Sequence, residues 1–132
     1  MKKKGIMIIL LFGCFIHAIG QEWLWSNHFK SNNIVQPISS VVDNNNNVYV
    51  IGTYDISDLT IQGLSISNRG DKDCFICKFD ANGEIKWLKS IGGTDREIPV
   101  SILIINNQLY ISGDFRSSIV YFATTDYLTL TN

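Results

Sequence analysis

Histidine, clustered basic residues and helical periodicity are what this chain has least of. It holds two histidines, His17 and His28, and once a leader is removed only His28 remains as an imidazole. A Ser-His-Asp arrangement would then have one candidate base and nothing that points to it, so a solvated strand-end histidine is the simpler reading. Beyond Lys2-Lys3-Lys4 the lysines and arginines are scattered singly, which leaves no electrostatic footprint for nucleic acid. No stretch past residue 20 keeps a helical period, so the reading turns to strands.

A long apolar run is also missing. Lys2-Lys3-Lys4 is followed by an apolar segment over residues 6–16 that His17 interrupts. This falls short of the roughly 18–20 residues a spanning helix needs. Ala18-Ile19-Gly20 places small residues ahead of Gln21, so residues 1–20 are expected to be a secretory signal peptide cleaved between Gly20 and Gln21. A competing junction exists at Leu11-Phe12-Gly13-Cys14, which resembles a bacterial lipobox with Cys14 as the lipidated residue. Phe12 fits that pattern poorly, and cleavage there would leave an apolar start where a polar tether is usual. Removing residues 1–20 leaves eight basic against twelve acidic residues, a formal charge of −4.

What the remaining chain does have is an internal repeat. Trp25 returns as Trp87 with an offset of 62, while Tyr49 returns as Tyr110 and Gly52 as Gly113 with an offset of 61. Ser40 then meets Ser101, Asn45 meets Asn106 and Asn46 meets Asn107. These matches place a one-residue slip between Phe29 and Ile38. Short strands repeating at about sixty residues mark a stacked array, whose units bury their apolar faces against one another.

Strands are expected over residues 38–42 and 48–51, joined by the Asp43-Asn44-Asn45-Asn46-Asn47 turn and ended by Gly52. Asparagine suits such a turn because it tolerates left-handed backbone angles. Leu59-Thr60-Ile61 and Leu64-Ser65-Ile66 flank Gln62-Gly63 as a tight hairpin. Residues 74–79 and 84–88 are strands around Asp80-Ala81-Asn82-Gly83, a turn needing a positive φ. Gly92-Gly93-Thr94-Asp95 links to the second copy, with strands at 100–105, 109–112, 119–122 and 128–130.

Several residues invite a chemical reading. Cys74 and Cys77 have CxxC spacing, yet residues three apart on a strand point to opposite faces, and no second pair completes a zinc site. They are expected to be packed thiols. Asp43-x-Asn45-x-Asn47 and Gly70-Asp71-Lys72-Asp73 look like oxygen-rich calcium loops, but Tyr54 stands where a bidentate glutamate should follow Asp43. Turn chemistry is the expectation there. Gly92-Gly93-Thr94 could offer amides to an anion, although no lysine-serine or lysine-threonine follows as in a phosphate loop. Trp23, Trp25 and Trp87 could stack on sugars, or fill the wedge between neighbouring sheets.

Taken together, Gly52, Leu59-Thr60-Ile61, Gly70-Asp71-Lys72-Asp73-Cys74-Phe75-Ile76-Cys77-Lys78-Phe79-Asp80, Asn82-Gly83, Trp87 and Ile91-Gly92-Gly93 resemble the SBBP-type β-propeller repeat of bacterial secreted proteins. The resemblance spans nearly all of residues 22–132. It departs at Asn46-Asn47, where Gly-Asn is usual, and at Lys30-Ser31, where the first Gly-Gly link would fall. It implies an all-β chain forming an incomplete β-propeller fragment, about one and a half four-stranded antiparallel blades after the signal peptide. Residues 21–29 would be the closing strand of a missing blade, 30–91 the first blade and 92–132 part of a second.

The function expected on this basis is a non-catalytic, secreted or cell-surface module for binding or scaffolding, part of a longer truncated protein, with no catalytic, metal or cofactor residues. Its partners would be the remaining propeller blades and a protein or glycan ligand. Neither nucleic acid nor, after signal cleavage, a membrane is expected. Two alternatives stay open: part of a propeller-type extracellular lyase or hydrolase whose site lies in the missing blades, and a cell-surface structural protein or adhesin.

Overall fold

The computed structural model describes residues 24–55, 57–122 and 126–129. The expected leader with Cys14, the Gly20/Gln21 junction and Trp23 lie outside the described residues.

Ten strands follow one another: β1 (Val35–Val42), β2 (Val48–Asp55), β3 (Leu59–Ile61), β4 (Leu64–Ile66), β5 (Lys72–Phe79), β6 (Ile85–Gly92), β7 (Glu97–Ile105), β8 (Gln108–Phe115), β9 (Ile119–Phe122) and β10 (Asp126–Thr129). They form three antiparallel sheets, one in the order β1-β2-β5-β6-β9-β10 and two hairpins, β3-β4 and β7-β8. The described residues close neither a barrel nor a ring. Most strands run further than their apolar stretches suggest. In particular β2 continues through Gly52 to Asp55, because β5 supplies main-chain partners as far as Lys72.

The turns carry the chemistry that their sequences predict. Gln62 (φ 45°) and Gly63 (φ 85°) form the two-residue loop of β3-β4, and Asn106 (φ 51°) and Asn107 (φ 60°) do the same for β7-β8. Two successive left-handed residues match the twist of the strands they join. The β1-β2 and β5-β6 turns are one residue longer, with the left-handed position taken by Asn46 (φ 60°) and Gly83 (φ 81°). The tip of β3-β4 is tied to the second of these. Gln62 Nε2 and Asn27 Nδ2 both donate to the Gly83 carbonyl (2.8 and 2.9 Å), while Gln62 Oε1 accepts the Ile85 N–H at 2.9 Å.

β5 is covered on both sides. Cys74 and Ile76 point into one cluster with Ile51, Ile91, Ile102 and Val120. Phe75, Cys77 and Phe79 point into the other with Tyr54, Leu59 and Ile61. The first face is roofed by the β7-β8 hairpin through Ile102, Leu109 and Ile111. The second is roofed by β3-β4 and by the extended segment before β1, where Trp25 stacks on Phe79 (5.6 Å) and Phe29 on Phe75 (5.3 Å). A strand apolar on both faces needs such a sandwich, since burying an aromatic or aliphatic side chain contributes on the order of 1.5–3 kcal/mol.

The repeat reappears as geometry. A register shift falls between Pro37 and Ser39 in β1 and between Pro99 and Ser101 in β7, with Pro37 opposite Gly52 and Pro99 opposite Gly113. Lys30 bridges Thr60, and Gly92 pairs with Tyr121, its counterpart. One expectation needs correcting. Ser39, not Ser40, matches Ser101, because both strands hold the offset of 62 to their ends and the slip lies in the turn, three residues long in β1-β2 and two in β7-β8. A further difference concerns β9-β10, which joins the large sheet through Ile91 and Gly92 instead of continuing from β8.

Candidate functional site

The residues singled out in the sequence do not converge. Trp25, Asn27 and Phe29 are half-buried while Leu24, Ser26, His28 and Lys30 alternate outward, so His28 projects from an extended segment into solvent. Cys74 and Cys77 are buried free thiols on opposite faces of β5, as their spacing predicts. Burial pushes both thiols up to about 12, which keeps them protonated and poor nucleophiles. Among the described residues no group of three histidine, cysteine or acidic side chains could hold a metal ion.

The first of the two oxygen-rich loops spends its carboxylate on its own turn. Asp43 Oδ1 accepts the N–H groups of Asn45 and Asn47, each at 2.9 Å, and Oδ2 is engaged by Asn47 Nδ2 (2.8 Å) and the Tyr49 hydroxyl (3.2 Å). These bonds, the Asn47 side chain foremost, hold its carboxyl down at about 2. In the other loop Asp73 is buried, and its Oδ2 accepts the Arg69 N–H at 2.7 Å.

Gly92-Gly93-Thr94 does bind a carboxylate, and the chain supplies it. Glu97 is fully buried, with Oε2 accepting the Gly93 N–H at 2.9 Å and Oε1 the Ser117 N–H at 3.2 Å. Ser117 Oγ in turn accepts the Asp95 N–H at 2.9 Å. A Cβ on Gly93 would collide with Ser117, and one on Gly92 with the Asp73 carboxylate, so both glycines are required by close approach. Glu97 and Ser117 were invisible to motif reading because their partners lie 4 and 20 residues away across a link. The one signal was a charged residue opening an otherwise apolar strand.

Trp25 and Trp87 fill wedges on opposite faces. Trp25 packs on Phe79 and against Gly83, and Trp87 lies 5.9 Å from the Tyr49 ring. A concavity of about 710 Å³ lies elsewhere, between the end of β4 and β6. Its polar lining comprises Ser65, Ser67, Asn68, Arg69, Lys89 and Ser90. Its floor is fixed by buried Tyr54, whose hydroxyl is hydrogen-bonded to the Ser67 carbonyl (3.0 Å) and to Ser90 Oγ (2.9 Å). Burial raises the Tyr54 phenol well above its ordinary range, so it stays a neutral donor. Hydroxyls and an amide around an apolar edge can hydrogen-bond to a polar ligand. No protein-family model matches the chain, and neither a curated protein nor a solved structure does.

Proposed function

We propose that this chain is a non-catalytic, exported β-propeller repeat module that binds or scaffolds, with the concavity above Tyr54 as its ligand surface. The observation that carries the reading is that the two copies repeat their packing as well as their letters. The bulge at Pro37 and Pro99 and the Lys30–Thr60 and Gly92–Tyr121 pairings recur at matching places. On this reading β1, β2, β5 and β6 are the four strands of one blade, β7 and β8 open the next, and the extended segment 24–29 belongs to the closing strand of a preceding one. The SBBP-type resemblance fits the same arrangement. Export is supported by the basic and apolar composition of residues 1–20.

A binding role is favoured over a catalytic one by the engagement of Glu97. Both of its oxygens accept backbone N–H groups, which makes it a clasp for the inter-copy link. The ligand class favoured is a glycan, whose hydroxyls would meet Ser65, Ser67 and Asn68. A glycan array probed with the exported protein and with Asn68→Ala and Ser67→Ala tests this. Retention that each substitution weakens supports the proposal. Equal retention by all three proteins, or release of cleaved sugar, overturns it.

A further inference from the structure

The outward side of β7-β8 is apolar and open. Leu103 is 55% exposed, Ile105 50% and Tyr110 49%, with Val100 at the bulge 65% exposed. Leu103 faces Tyr110 across the hairpin as Val41 faces Tyr49 in β1-β2. In the first copy that pair is already roofed, because Val41 and Tyr49 pack against the cluster that Ile102, Leu109 and Ile111 complete from above. The same positions are therefore covered in one copy and bare in the other.

The covering side has a partly covered counterpart too, with Val48 and Val50 half-buried against the second core cluster and Ser40 exposed. By register, Ile102, Leu109 and Ile111 correspond to Ser40, Val48 and Val50. These three line a groove of about 410 Å³ bounded by Trp25, Phe29, Ile38 and Phe79. No charged side chain lines that groove, and none stands among Val100, Leu103, Ile105 and Tyr110, so no like charges would oppose one another. The two ends of the molecule are thus the two halves of a contact that the chain already makes internally.

We propose that the chain associates head to tail with a second copy of itself, seating Leu103 and Tyr110 of one molecule over Ser40, Val48 and Val50 of the next. Such a contact is heterologous: each molecule uses a different surface, so the assembly extends or closes into a ring and does not stop at a symmetric dimer. The head side is shallower than its internal counterpart, with Ser40 in the place of Ile102, which makes the contact weaker than the internal one. The inference depends on the repeated packing and not on any ligand.

Sedimentation velocity of the full chain over a concentration series tests it. The wild-type protein is expected to associate increasingly with concentration, and Leu103→Glu and Ser40→Glu, both at exposed positions, each to weaken association about tenfold or more. Because each variant keeps one intact surface, an equimolar mixture is expected to yield a one-to-one dimer and nothing larger. Tyr110→Lys replaces Leu103→Glu if the latter lacks the wild-type cooperative melt. A wild-type protein that stays monomeric, variants that associate as the wild type does, or a mixture that forms no dimer overturns the proposal. Association through the apolar N-terminal residues, shared by every variant, would appear as the second of these.

Discussion

Asp43 and Asp80 occupy the same place in two different turns. Each opens a three-residue loop and accepts, on one carboxylate oxygen, the N–H groups two and four residues on: Asn45 and Asn47 for Asp43, Asn82 and Glu84 for Asp80. Each also uses its other oxygen on a side chain six residues ahead, the Tyr49 hydroxyl at 3.2 Å or the Lys86 ammonium at 2.6 Å.

Both carboxyls sit below their ordinary value, Asp43 at about 2 chiefly through the Asn47 side chain and Asp80 lowered chiefly through Lys86. A folded-state value below the unfolded one adds stability that is present above about pH 4 and fades as the pH falls through the folded value. Thermal midpoints measured from pH 5 down to pH 2 should therefore decline, and less so in Asp43→Ala and Asp80→Ala, which start lower at pH 5.

Asp73 is expected to act in the opposite sense. Burial first, helped by the nearby Glu97 charge and opposed by the Arg69 N–H and guanidinium, lifts its carboxyl to about 6, and its Oδ1 has no hydrogen-bond partner. A raised acid favours the folded state while protonated, so its contribution is whole below about pH 4 and is lost as the pH climbs through 6. Asp73→Asn should raise the unfolding midpoint at pH 7 and leave it almost unchanged at pH 4. An equal effect at both values would contradict this assignment.

Gly52 and Gly63 should respond differently to side chains. A Cβ on Gly52 would collide with the Gln36 carbonyl and the Phe75 ring, whereas Gly63 has open space but a φ of 85°. Gly52→Ala is expected to cost about 1–3 kcal/mol by overpacking. Gly63→Asn should stay within about 0.5 kcal/mol, because asparagine accepts the left-handed region. Urea unfolding of the two variants checks both values.

The two thiols of β5 should be silent in the folded protein. Cys74 and Cys77 are fully buried and face opposite ways, so iodoacetamide is expected to label them only once denaturant is present. Peptide mapping of native and unfolded samples would show it. An oxidant should give no bond between them, since sulfurs on opposite faces of one strand cannot meet.

Local chemistry was readable from the sequence where a residue answers to its own backbone. The left-handed positions at Asn46, Gly83 and the Gln62-Gly63 pair, and the opposed cysteines, follow from rules of one or two residues. The slip was misplaced because identity favoured the wrong match: Ser40 with Ser101 looks right as letters, yet Ser39 holds that place in β1 and the extra residue lies in the longer β1-β2 turn. Pro37 and Pro99 gave no hint of a shared bulge, since a proline within a strand reads as interruption. The clasp at Glu97 and the floor at Tyr54 depend on partners 20 and 36 residues away, a proximity that only the folded chain creates.

The notch that Pro37 makes in β1 has a consequence for how matter could accumulate on this protein. β1 is the outer strand of the large sheet, and a proline with a bulge beside it denies a newcomer a straight rail of amide groups to zip onto. Sideways ribbon growth at that edge is thereby discouraged while face-on piling stays open. A polymer of this chain would resemble stacked tiles, spaced by roughly the 10 Å thickness of packed sheets rather than the ~4.8 Å of an amyloid ladder.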